Sequence, residues 1–448
     1  MGRSEASLMR DPQFGLDSRW SWVTAAFASL VLFLVMLGQQ AAGVIFYGIV
    51  DTYGVSRQLA AWPLVLSGSL ISLGGPLFGI LCRCYSCRAV LLVCPLLAAL
   101  SLCACCFADG IVFLIIVFGI IHGLSVSGAY VAVNVLVSQH FEKRRATACS
   151  LVFTACALGL FAPPLAELVR DAYGIRGTFL LLGAVTLNAC PAAIVLRSPA
   201  WMERTAPPEH TRKKNHLAAN EDPCLVVQRG EESRPRFSAV VRNFATVPFV
   251  VDAMSFSVIL LGLTTFLLLS VDIATDRGVE PSRAVLLQNA FAAGDIFLRP
   301  VSGVIVDSRV LALETVMLVG YLVQAAGFEL FALFTTFPVM LACSALIGAS
   351  NGARISLQAP LLVKDFGVDS LPIMMGGMVF FSGVVLLTRP LLVGYYRDHH
   401  GSYDGLLHTV AALSTALLII WIIRSLMVRR KRWRQHLTLN SIGDVSFS

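Results

Sequence analysis

The 448 residues are 56% apolar and only 14% charged, with a mean hydropathy of +0.76 and a formal net charge of +7. A soluble domain carries roughly 25% charged residues, so a water-soluble enzyme or nucleic-acid-binding domain is excluded and lipid is the expected solvent. The twelve cysteines lie mostly inside apolar stretches, where Cys acts as a small hydrophobe, and they suggest no disulfide framework. Cys82, Cys84 and Cys87 sit together in a short loop but lack a fourth ligand for zinc, which leaves helix-end packing or palmitoylation as their reading.

A bilayer crossing needs about 20 apolar residues. Six uncharged runs of that kind precede residue 198, at 23–50, 58–82, 89–108, 110–137, 146–166 and 177–196. Six more follow near 249–271, 284–306, 310–331, 337–362, 370–395 and 405–423, and five of these contain a charge. The pattern predicts an all-α membrane protein with twelve transmembrane helices in two six-helix bundles. Its parts are an N-terminal half (1–197), a cytosolic linker (198–245), a C-terminal half (246–428) and a cytosolic tail (429–448). The linker holds Arg212-Lys213-Lys214 and Glu231-Glu232, and the tail holds Arg429-Arg430-Lys431-Arg432.

Orientation follows from the placement of Lys and Arg, which accumulate on the cytoplasmic side. With both termini inside, Arg57, Arg170, Arg176, Arg277, Arg283 and Arg397 are the external cations. Arg299, Arg354 and Arg389 lie within spans, and the other 25 of the 34 Lys and Arg are internal. The net charge therefore reads as topology and as contact with membrane lipid, not as nucleic-acid binding. Two internal echoes support a duplicated half. Gly75-Pro76-Leu77-Phe78-Gly79 in the second span resembles Arg299-Pro300-Val301-Ser302-Gly303 in the eighth, with Pro76 aligned on Pro300. Arg170-Asp171-Ala172-Tyr173-Gly174 resembles Arg397-Asp398-His399-His400-Gly401, with Gly174 aligned on Gly401. The two alignments have nearly the same offset, as equivalent helices of two repeats should.

Charge at the bilayer centre costs at least ~2.5–3.5 kcal/mol per residue and marks function by default. The eighth span carries Asp295 and Arg299 at i and i+4, which places them on one helix face within reach of each other. A carboxylate that takes a proton, beside a guanidinium whose planar fork fits a carboxylate, forms an anion site; the bland alternative is a structural ion pair. Arg354 in the tenth span and Arg389 in the eleventh are further candidates to line a cavity, and Glu329 is a candidate partner for one of them. In the first half the candidates are Gln40, His122 and Asn134. His122 either titrates near neutral pH or serves as a packing residue. Trp20 and Trp22 read as an interfacial aromatic belt. No catalytic triad, nucleotide-binding glycine loop or metal motif occurs, so neither an enzyme nor a cofactor is expected.

Several local motifs resemble the monocarboxylate transporter family, within the major facilitator superfamily. Asp17-Ser18-Arg19-Trp20-Ser21-Trp22-Val23 is similar to that family's first signature, with its three glycines replaced by Ser18, Arg19 and Ser21. His140-Phe141-Glu142-Lys143-Arg144-Arg145-Ala146 is similar to the second. Tyr173-Gly174-Ile175-Arg176-Gly177-Thr178-Phe179-Leu180, Asp295-Ile296-Phe297-Leu298-Arg299-Pro300 and Gly401-Ser402-Tyr403-Asp404 are also like the family, so the matches run in order from residue 17 to 404. The resemblance implies a carrier of small organic anions in the plasma membrane. Asp295 and Arg299 would be its proton and carboxylate site, and some members of the family use a single-span accessory glycoprotein. One departure bears on mechanism: Gln40 stands where proton-coupled lactate carriers have a first-helix lysine, and the first span contains no lysine. A pH-independent carrier of larger neutral or zwitterionic solutes, such as aromatic amino acids or thyroid-hormone-like compounds, is therefore a second expectation. A non-transporting receptor or scaffold, suggested by the charged linker and basic tail, is a third.

Overall fold

The computed structural model describes residues 9, 11, 13–199 and 237–445. Most of the expected linker, and the side chains of the tail arginines, lie outside the described residues. Among the described residues every regular element is helical.

Among the described residues nine helical stretches are long and apolar enough to cross a membrane by themselves: α1 (Arg19–Tyr53), α3 (Cys87–Cys105), α4 (Ile111–His140), Arg145–Val195, α7 (Val247–Asp276), α8 (Pro281–Asp307), α9 (Leu313–Leu333), α11 (Leu371–His399) and α12 (Asp404–Met427). A tenth, α2, joins Arg57–Leu73 to Gly75–Cys84 through a 46° bend. The 51-residue stretch is more than one crossing. At 1.5 Å per residue it would run about 75 Å, against roughly 30 Å of hydrocarbon. Its chain turns at Gly174, whose φ of 68° glycine adopts without steric cost, and this divides it into α5 (145–173) and α6 (175–195). The helix Phe337–Ile355, which contains Arg354, continues after a short break as Gln358–Phe366 and forms α10, so the twelve expected crossings are present. Helix α11 is also broken. Its first part ends at Leu386 and a second runs Arg389–His400. Pro390 causes the reset, since its ring excludes the preceding turn and it has no N–H to donate.

The chain packs as two compact units that do not divide at the linker. One comprises Met1–Ser257 with Ser356–Leu387, the other Val258–Ile355 with Thr388–Ser448. In the first unit α1 packs on α5 and α6, α2 on α4, and α3 on α4 and α6. A core of Ile45, Leu102, Phe118 and Phe179 fills the space between them. The first part of α11 lies against α2 in the same unit, where Gly75 meets Gly376 and Gly79 meets Pro372 backbone to backbone. In the second unit α8 packs on α10, and α9 packs on α10 and α12, around Phe266, Phe291, Phe328 and Phe331.

The duplication is visible in tertiary contacts. Tyr53 at the end of α1 donates its hydroxyl to the Ala108 carbonyl at 2.9 Å, and Arg277 at the end of α7 donates to the Ala332 carbonyl at 3.1 Å. The offset that aligns Pro76 on Pro300 also aligns Tyr53 on Arg277 and Ala108 on Ala332. Different donors thus satisfy a matched buried carbonyl near a helix end in each half.

The two signature motifs also meet, inside the first unit. The Asp17 carboxylate accepts the backbone N–H groups of Glu142, Lys143 and Arg144 at 3.3, 2.9 and 3.0 Å, so it holds the loop that leads into α5 from a distant part of the chain. Trp22 packs edge-on against Phe141 at 4.9 Å, Trp20 lies near Phe14, and Arg145 donates through Nε to the Ser138 carbonyl. Trp22 therefore helps bind the start of α1 to the loop before α5, a packing role that an interfacial belt alone would not require.

Candidate functional site

Helix α8 brings Asp295 and Arg299 together as their i, i+4 spacing predicted. Arg299 donates to Asp295 Oδ2 through Nε at 2.9 Å and Nη2 at 2.6 Å, and the two residues are 1% and 7% exposed. The other carboxylate oxygen, Oδ1, accepts from Asn351 Nδ2 on α10 at 2.7 Å. Asn351 is itself 3% exposed. Small residues set this geometry. A side-chain methyl on Gly352 would overlap the Asp295 carbonyl, one on Gly348 the Phe291 carbonyl and one on Gly294 the Ala345 carbonyl, so α8 and α10 touch along their backbones. Sequence reasoning missed Asn351. The available signal was its amide in an otherwise apolar span, the same signal that singled out Asn134 in the first half.

Arg354, three residues beyond Asn351, is turned against α9 and does not line a cavity: it is fully enclosed. It hydrogen-bonds Gln324 and the Ser350 hydroxyl and carbonyl, and its guanidinium lies 4.4 Å from the Tyr321 ring centre. Gly320 makes the room, because a side chain there would overlap the arginine's own chain. Arg389 is half-buried at the first position of the second part of α11. Glu329 pairs with neither arginine; its partner is His408 on α12 at 3.0 Å, since α9 packs on α12 along that face.

In the first unit His122 is fully buried and stacks on Phe118 at 5.1 Å, with Ser101 and the Ala98 carbonyl each 3.4 Å from Nδ1. It ends a π-helical stretch, Ile115–His122, and faces Gly38, which has no side chain to exclude it. The packing alternative describes this environment. Asn134 donates to the Tyr130 carbonyl of its own helix at 2.8 Å and is also buried. Gln40 is half-buried at the Ala41 break in α1 and donates to the Cys156 carbonyl of α5 at 3.0 Å, just before a short 3-10 segment, Leu158–Phe161. Neighbouring Gln39 bonds Ser67 on α2. Among the described residues no cluster of three or more His, Cys, Asp or Glu could hold a metal ion.

The family model described as Major Facilitator Superfamily matches residues 28–270, more than half the chain. The chain belongs to that superfamily. Mouse monocarboxylate transporter 4 is 25% identical over 85% of this chain and 78% of its own length, and human monocarboxylate transporter 14 is 25% identical over 94% of each chain. Among solved structures, the proton:xylose symporter XylE superposes with a TM-score of 0.71 at 14% identity, covering 89% of this chain and 94% of its own. The transporter FucP gives 0.68 at 13% identity, covering 91% and 99%. These likenesses show the major facilitator fold. The protein is a multi-pass membrane transporter of this superfamily, related to monocarboxylate transporters, and its relatives are carriers rather than enzymes.

Proposed function

We propose that the protein moves small carboxylate-bearing organic solutes across the plasma membrane together with a proton, by alternating access, with both termini cytoplasmic. The observation that carries this reading is the enclosed Asp295–Arg299 pair with Asn351 on the second carboxylate oxygen. In the unloaded state Asp295 occupies the guanidinium fork of Arg299. A proton on Asp295 removes the charge that holds the fork, and a solute carboxylate takes its place as a bidentate partner. Proton and solute then bind as a neutral set, which lowers the cost of turning the site through the membrane. The names of the relatives support a monocarboxylate as solute, and the Lys and Arg bias supports the orientation.

The test is uptake of labelled monocarboxylates into vesicles containing the purified chain, with and without an inward proton gradient. The gradient is expected to accelerate uptake, and Arg299→Ala to reduce it about tenfold or more, the loss of one charged hydrogen-bonding contact. Equal transport by Arg299→Ala would remove the assignment. The neutral Gln40 amide, bound to α5, favours the second reading, a pH-independent carrier of larger neutral or zwitterionic solutes. Uptake indifferent to the proton gradient would select it. Failure to exchange any solute across a broad panel would return the scaffold reading.

A further inference from the structure

We infer that Asn351 is a positioning residue that keeps Asp295 in place in both of its charge states, donating to the carboxylate when Arg299 is paired with it and turning its amide to accept from the acid when Arg299 leaves for the solute. This rests on the proton-coupled reading above and adds to it a residue that the pair alone does not require.

The first support is the division of labour at the carboxylate. Arg299 donates to Oδ2 through Nε and Nη2, and Asn351 takes Oδ1 from a different helix. When Arg299 moves to a solute, the amide remains. The second is rigidity. The Arg299 side chain is long and can swing, whereas Asn351 is short and stands on a helix whose backbone touches α8 at Gly294, Gly348 and Gly352. Its distance from Asp295 is fixed by that contact. The third is an unused atom: Asn351 Oδ1 is buried with no hydrogen-bond partner, which is costly for an amide oxygen in an apolar interior. A half-turn about Cβ–Cγ exchanges Nδ2 and Oδ1 at nearly the same positions. After protonation, Asp295 Oδ1–H finds that oxygen as its acceptor. The step moves one proton onto the carboxylate and breaks no covalent bond. An apolar side chain would serve neither state, and a cation would serve only the ionised one.

Besides Asp295, the charged and titratable groups on α8 and on the helices packed against it are Arg283, Arg299 and Asp307 on α8, Cys343, Arg354, Lys364 and Asp365 on α10, and Glu314, Tyr321 and Glu329 on α9. Arg299 is bonded to Asp295, Arg354 is held by Ser350, Gln324 and Tyr321, and Glu329 is bonded to His408.

The experiment is infrared difference spectroscopy of the full chain in lipid vesicles on acidification, without solute, using protein labelled with 13C at the asparagine side-chain amide. The expected result is an acid carbonyl band that disappears in Asp295→Asn, together with a labelled-amide band that shifts over the same pH range and disappears in Asn351→Leu. In vesicle uptake, Asn351→Leu should slow proton-driven transport of a labelled monocarboxylate about tenfold. If Asn351→Leu does not fold, the coincidence of the two bands in the unmutated chain decides the question. An Asp295 acid band that grows while the amide band stays still overturns the role of Asn351 and leaves proton coupling standing. No acid band attributable to Asp295 between about pH 4 and pH 8 overturns both.

Discussion

The two halves handle intramembrane polarity in opposite ways. The first six helices bury neutral groups: His122 stacked on Phe118, Asn134 bonded to its own helix, and Gln39 and Gln40 spent on Ser67 and the Cys156 carbonyl. The helices that follow bury formal charges, with Asp295 and Arg299 neutralising each other and Arg354 wrapped in hydroxyl, amide and aromatic groups. Even matched positions differ. Gly38 on α1 makes room for the imidazole of His122, while Gly262, its counterpart on α7 in the alignment of Pro76 on Pro300, makes room for the amide of Gln324, which in turn holds Arg354. The same small-residue device thus admits a packing residue in one half and supports a charged network in the other.

The sharpest way to break this contrast is Asp295→Ala. It leaves the Arg299 guanidinium buried without its carboxylate, and a loss of about 3–5 kcal/mol is expected, measured as a fall in thermal stability in detergent along with loss of uptake. The double variant Asp295→Ala/Arg299→Ala should recover part of the stability and none of the uptake. If the single and double variants are equally unstable, the pair is not what the second half is built to protect. Next comes Gly352→Val, which forces side-chain atoms into the Asp295 carbonyl. It should cost about 1–3 kcal/mol and depress uptake without changing any charge. Asp17→Ala, which removes the acceptor for three N–H groups of the loop before α5, should cost about 1 kcal/mol. Its effect should be reproduced by Asp17→Leu and relieved by Asp17→Asn, since an amide oxygen can still accept. The smallest effect is expected for His122→Leu, which exchanges two long hydrogen bonds for apolar contact. Uptake within about twofold of the unmutated chain and a stability change below about 1.5 kcal/mol would fit a packing histidine. Loss of proton-driven uptake in that variant would move the site's chemistry into the first half.

Much of the protein was legible in its sequence because the membrane restricts what a chain can do there. Apolar run length fixed the number of crossings, and the i, i+4 spacing of Asp295 and Arg299 fixed a local pair, because both depend only on helix geometry. The breaks were less legible. Pro390 signals the reset of α11, but the turn at Gly174 and the bend at Gly74 depend on what the neighbouring helices allow. Partners from other helices were not legible. Nothing in the order of residues says that Glu329 meets His408 instead of an arginine, that Arg354 turns into α9, or that Asp17 holds the distant loop before α5.

The sequence by itself determined that this chain lives in lipid, crosses it twelve times, repeats its first half in its second and concentrates its intramembrane charge after the linker. Those properties follow from composition, period and spacing, which are local. Tertiary structure decided which partner each buried polar group meets. Close backbone approach at Gly294, Gly348 and Gly352 is what sets Asn351 on the second oxygen of Asp295. A contact between α8 and α10 has no local signature, because it exists only when two helices distant in sequence both lack the side chains that would hold them apart.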